Sequence, residues 1–231
     1  MPFTTPPWIA ALPRQRLLGE FSMWSADLVN LERDLARIEP FADILHIDVA
    51  DGHFAPAFLF FPDLVARMRS LTAAPIHVHL MCADPVLLDQ IEQFADAGAD
   101  LISIHAENAA VATPALDLIA SRGLAAGMVL RVETPVAMVA PWINRLDFLT
   151  LLGTAIGVKG QGLDPAATLR LTAARVLIAA SRRRIVLAAD GGIRETTVPL
   201  LREAGAETVV LGSLAFGAAD LAERMRWLHA L

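Results

Sequence analysis

Cysteine is almost missing from these 231 residues: Cys82 stands alone, which excludes an internal disulfide and fits a reducing compartment. Positive charge is also scarce. With 19 Lys and Arg against 25 Asp and Glu, the formal charge of −6 argues against nucleic acid as a partner, because phosphate neutralisation needs basic patches. The one basic cluster, Arg182-Arg183-Arg184, reads as a solvated helix end before a strand. No apolar run reaches the roughly 18 residues that span a bilayer, and the first residues lack a signal-peptide pattern. No membrane partner and a cytoplasmic location are therefore expected. What the chain has in quantity is apolar surface, at 55% of residues, which points to further burial in a homo-oligomer.

Apolar strand-like runs alternate with helical segments from about Gly19 to the end, the pattern of a parallel sheet with crossover helices. Eight strands are read near Gly19–Met23, Ile44–Val49, Pro75–Leu80, Asp100–His105, Ala125–Leu130, Asp147–Leu152, Arg184–Ala189 and Glu207–Leu211, each followed by a helix. Eight units at this length predict an α/β fold of one domain, a closed (β/α)8 TIM barrel. The similar segments Phe94 to Asp100 and Leu201 to Glu207 each end a helix at glycine and enter a strand. Residues 1–16, with four prolines and Trp8, read as an N-terminal extension against the barrel or a neighbouring subunit, leaving residues 17–231 as the barrel.

The chemistry concentrates at strand ends. Between Ile44 and Val49 the alternation of a strand puts His46 and Asp48 on one face, followed by Asp51-Gly52-His53. His77 and His79 form a second such pair, and the seventh strand ends on Asp190 before Gly191-Gly192. Active sites of this fold lie at the carboxyl ends of the strands. Two histidines and two aspartates there suit one divalent metal ion, and the imidazoles favour zinc, iron, manganese or cobalt over calcium or magnesium. His77 lies deeper and reads as a hydrogen-bonded core histidine, while His53 and His105 are open candidates for the site lining. Glycine-bearing turns at Gly157-Val158-Lys159-Gly160, Gly191-Gly192 and Gly212-Ser213 bring backbone N–H groups to a surface. The last two fall after strands seven and eight, the usual phosphate grip of this fold, and favour a phosphorylated substrate.

Ser22-Met23-Trp24-Ser25-Ala26-Asp27, the run His46 to Pro56, Val78-His79-Leu80-Met81 and Ala189-Asp190-Gly191-Gly192-Ile193 occur in that order. Through them, from Phe21 to Phe216, the chain resembles the ribulose-phosphate 3-epimerases. The resemblance implies that His46, Asp48, His79 and Asp190 bind the metal, that Ser22 and His79 contact substrate, and that the three glycine turns hold the phosphate; Lys159 would add a cationic contact to the same group if its loop folds over. It further implies that Asp48 and Asp190 act as the catalytic acid/base pair, inverting a carbon beside a ketone through an enediolate. Departures from the family pattern cluster around the substrate: Trp24, Ala50, Phe58 to Phe61, Leu152 and Lys159. Two substrates are consistent with them: D-ribulose 5-phosphate and D-xylulose 5-phosphate, or another ketose phosphate such as a tetrulose or hexulose phosphate. A non-catalytic phosphate-ligand-binding barrel is the remaining alternative.

Overall fold

The computed structural model describes residues 4–231; the first three residues of the N-terminal extension lie outside that range. Among the described residues, eight parallel strands close in sequence order: β1 Leu18–Ser22, β2 Ile44–Ala50, β3 Ile76–Met81, β4 Leu101–His105, β5 Ala125–Leu130, β6 Phe148–Leu152, β7 Val186–Asp190 and β8 Thr208–Leu211. Each lies within two residues of its expected position. These runs are apolar on both faces because one face packs on the outer helices and the other fills the barrel.

Helix α1 (Pro7–Ala11) precedes the barrel. Around the barrel run α2 (Leu31–Ile38), α3 (Pro62–Arg69), α4 (Asp84–Asp96), α5 (Ala112–Ser121), α6 (Ala167–Ala179), α7 (Val198–Ala204), the one-turn α8 (Ser213–Phe216) and α9 (Leu221–His229). The expected helix after β5 is of the 3₁₀ kind: Val136–Arg145, with Pro141 inside it. Proline removes a backbone donor and clashes with the preceding turn, so a regular α-helix cannot run through this segment.

Layering inside the barrel positions the site. Its floor is apolar, built from Ile44, Leu101, Ala125, Phe148, Val186 and Ala188, and α1 plugs it from below with the fully buried Ile9. Above the floor the interior turns polar, with Glu20, His46, His77, Ser103, Thr150 and Thr208 all buried. Pairing places Ser22 beside His46, His46 beside His77 and Asp48 beside His79, so the registers of β1, β2 and β3 align these side chains in rungs. No helix among the described residues is long and apolar enough to cross a membrane.

Candidate active site

Four ligand-bearing side chains meet at the carboxyl end of the barrel. The donor atoms of His46, Asp48, His79 and Asp190 all lie within 4.8 Å of one another. His46 Nε2 and His79 Nδ1 each stand 3.3 Å from Asp48 Oδ1. A tetrahedral ion with ligand distances of ~2.0–2.1 Å has edges of about 3.3–3.4 Å, so the spacing matches the donor set. The other Asp48 oxygen accepts a hydrogen bond from Ser22 Oγ at 2.8 Å.

Hydrogen bonds behind the histidines decide which nitrogen faces this point. His46 Nδ1 donates to Glu20 Oε2 at 3.0 Å, leaving Nε2 buried and without a hydrogen-bond partner among the described residues. Buried polar atoms are rarely left so, and this one points where a cation would sit. His79 Nε2 meets His105 Nε2 at 2.8 Å, and His105 Nδ1 donates to Glu107 Oε2 at 2.9 Å. Imidazole ligands held by an outer carboxylate are a usual feature of metal sites. The residues present therefore fit one divalent ion.

Electrostatics separate the two aspartates. Burial raises the Asp48 carboxyl, but the charge of His46, 3.3 Å away, and the neighbouring His79 overcome it and hold the group well below the usual range. Burial pushes Asp190 up to about 6, with the Asp48 charge adding to the effect against the pull of His46. Burial works against protonation of His46, yet the charges of Asp48 and Glu20 hold it well above its ordinary value. A positive charge belongs between these groups, and a metal ion would displace that proton on binding.

A cavity of about 350 Å³ opens above the four residues. Ser22, Asp48, His79 and Asp190 line it, as do Gly157, Val158, Lys159, Gly160, Gly191, Gly192, Gly212 and Ser213. Gly191 and Gly192 have positive φ (86° and 69°), and a Cβ would fall 2.3 Å from Thr154 Oγ1 at the first and 2.7 Å from Leu163 Cα at the second. Only glycine makes this turn. Ser213 opens α8, the short extra helix that follows β8 in many phosphate-binding barrels. Lys159 Nζ donates to the Trp24 carbonyl at 2.6 Å and sits 4.5 Å from the centre of its indole ring, so the loop after β6 is tied across the mouth.

Other candidates fall outside the cavity. His46 lies beneath it, His53 is exposed on the loop after β2, and Phe61 is 57% exposed. His77 is a core residue: Nδ1 donates to Glu20 at 2.7 Å and Nε2 meets Ser103 Oγ at 2.7 Å. His105 is buried behind His79, where desolvation pushes it down to about 4. Arg194 lines the cavity and was not anticipated; a cation directly after Gly191-Gly192-Ile193 was the available signal. Glu20 was missed too, although its two-residue spacing from Ser22 put a charge on the same inward face.

Comparison with known proteins follows the same lines. The model of the Ribulose-phosphate 3 epimerase family matches residues 20–216. Ribulose-phosphate 3-epimerase of Bacillus subtilis is 35% identical over 201 residues, covering 86% of this chain and 92% of that protein. The Aquifex aeolicus ribulose-phosphate 3-epimerase is 33% identical, covering 87% and 89%, and the chloroplastic ribulose-5-phosphate-3-epimerase of Arabidopsis thaliana is 30% identical, covering 90% and 75%. Among solved structures, orotidine 5'-phosphate decarboxylase from Pyrococcus horikoshii superposes with TM-score 0.65 at 12% identity, over 91% of this chain and 97% of that one. A 3-hexulose-6-phosphate synthase gives 0.63 at 17%, over 93% and 98%. At those identities the two structures speak for the fold.

Proposed function

From the premise that the chain belongs to the ribulose-phosphate 3-epimerase family, we propose that it interconverts D-ribulose 5-phosphate and D-xylulose 5-phosphate by inverting C3. The carrying observation is the convergence of His46, Asp48, His79 and Asp190 under a cavity that ends in the Gly191-Gly192 and Gly212-Ser213 turns. Such an enzyme is an isomerase, metal-dependent, with a phosphorylated ketose as its substrate.

In this reading Asp48 and Asp190 are the acid/base pair. Ionised Asp48 takes the C3 proton from one face and Asp190 returns its own proton to the other; the reverse direction exchanges their roles. The split in their environments suits this division, one carboxyl held ionised and the other raised to about 6, nearer the pH at which it can hold and return a proton. Proton transfer of this kind contributes about 10²–10⁴-fold. One divalent ion, zinc, iron, manganese or cobalt, held by His46 Nε2, Asp48, His79 Nδ1 and Asp190, would supply Lewis-acid stabilisation of the enediolate charge. Ser22 holds the Asp48 carboxylate and contacts substrate together with His79. Backbone N–H groups of Gly157, Val158, Gly160, Gly191, Gly192, Gly212 and Ser213 grip the phosphate, and the loop carrying Lys159 shields the bound sugar from water.

The protein is further read as a cytoplasmic homo-oligomer, in keeping with its apolar excess, with residues 1–16 as an extension to a catalytic barrel of residues 17–231. Trp24 and Lys159 narrow the mouth, and that observation favours, as a second reading, a shorter ketose phosphate. Solvent-deuterium incorporation at C3, followed by NMR over four-, five- and six-carbon ketose phosphates with each metal supplied, tests both. Fastest exchange and inversion with D-ribulose 5-phosphate is expected. Preference for a tetrulose phosphate supports the second reading, and exchange with none refutes epimerisation.

A further inference from the structure

Resting on that metal-dependent reading, we infer that Glu107 is a positioning residue that determines, through His105, which nitrogen of His79 is free to bind the metal. The rings of His79 and His105 lie 25° from coplanar with centroids 5.0 Å apart, so their 2.8 Å Nε2 to Nε2 contact runs in the ring planes and holds one proton. The far end of the chain decides who owns it. Glu107 Oε1 accepts the Arg131 backbone N–H at 3.1 Å and the Thr134 hydroxyl, while Oε2 faces His105 Nδ1 at 2.9 Å. An ionised carboxylate only accepts, so His105 carries its proton on Nδ1. The lone pair of neutral His105 is then on Nε2 and the shared proton belongs to His79 Nε2, so a neutral His79 offers its lone pair from Nδ1, the atom that faces Asp48 Oδ1 at 3.3 Å and that the metal would take.

Glu20 does the same for His46 in one step. The longer chain is distinctive because one atom can reverse it. In Glu107→Gln the Arg131 N–H still needs an acceptor, so the amide oxygen takes the Oε1 place and the amide NH₂ is turned toward His105 Nδ1. His105 must then accept there and carry its proton on Nε2, which forces the His79 proton onto Nδ1, into the metal's place. Truncating His105 to alanine removes the constraint without reversing it.

The test is competition between the full-length, metal-stripped protein and a chromophoric chelator for Zn(II) or Co(II). Glu107→Gln is expected to weaken binding about 10–100-fold, the range for outer-shell partners of metal ligands. His105→Ala is expected to weaken it less, and Glu107→Gln added to His105→Ala to change nothing further. Native-like affinity in Glu107→Gln, or an undiminished loss in the His105→Ala background, overturns the relay. Ring ¹⁵N shifts of the native metal-stripped protein at alkaline pH need no variant: a proton on His79 Nε2 supports the relay, and one on Nδ1 overturns it. A native protein that binds neither metal and exchanges no C3 proton removes the proposed function itself. One that does both while Glu107→Gln is silent removes only the relay.

Discussion

Glu20 is the most exacting place to test how the barrel interior is held. Its carboxylate accepts from His46 Nδ1 at 3.0 Å, His77 Nδ1 at 2.7 Å and Thr208 Oγ1 at 3.3 Å, and all four residues are fully buried. In Glu20→Ala the threonine hydroxyl can rotate elsewhere, but the two imidazole N–H groups lose their acceptor in a fully buried setting. Each buried unsatisfied group costs about 1–3 kcal/mol, and breaking a buried charged pair about 3–5 kcal/mol. Proton linkage gives a second measure. Burial raises Glu20, but the His77 charge and the histidine hydrogen bonds prevail and bring it from 4.5 to about 2. At about 1.4 kcal/mol per pH unit that displacement is worth about 3 kcal/mol. Because the folded value lies below the unfolded one, this stability is complete above pH 4.5 and disappears as the pH falls toward 2. Glu20→Ala should therefore lose about 3–5 kcal/mol at neutral pH, or about 6–20 °C in Tm for a chain of this size. Urea unfolding with a chelator present measures this without counting lost metal. Glu20→Gln, which keeps volume and one acceptor, should lose about half as much. A Glu20→Ala loss below about 1 kcal/mol, or a glutamine variant as damaged as the alanine one, would refute the account of the interior as a hydrogen-bonded network.

Asp190→Asn should unfold like the native protein yet lose C3 exchange by about 10²–10⁴-fold; retained exchange removes Asp190 from proton transfer. Lys159→Gly frees the loop from the Trp24 carbonyl and ring, and steady-state kinetics should show KM rising more than kcat falls; a fall in kcat alone contradicts a ground-state role. Burial pushes both His77 and His105 down to about 4, so folding favours their neutral forms. The contribution of these two groups to the stability of chelated protein is complete above pH 6.5 and falls by about 3 kcal/mol per histidine as the pH drops toward 4; His77→Asn or His105→Asn should flatten that fall, and an unchanged acid slope contradicts this. At Gly127 a Cβ would lie 1.9 Å from Ser103 Oγ, so Gly127→Ala should displace the serine that meets His77 and lower the urea midpoint by about 1–3 kcal/mol in equivalent stability.

The strands and the ring order were legible because buried parallel strands are written locally, as apolar runs between glycine-capped helices. A helix after β5 was legible too, but its 3₁₀ form at Val136–Arg145 follows from Pro141 inside it, which the backbone cannot ignore. His46, Asp48, His79 and Asp190 could be picked out because each stands at the end of a recognisable run, and strand ends on one face of a barrel converge by topology. Glu20 and Glu107 carry no such local sign. Glu20 meets partners 26, 57 and 188 residues away, and Glu107 reaches His79 only through His105 and the pairing of β3 with β4.

Sequence alone determined the kind of fold, the strand ends that bear acids and imidazoles, and the glycines that allow tight turns, since each depends on residues close in the chain. Tertiary structure decided the rest: which nitrogen of each histidine is bare, which aspartate is held ionised, and how Lys159 and Trp24 meet across the mouth. Those outcomes depend on distances of a few ångströms between residues far apart in sequence, fixed only when the barrel closes and its register is set.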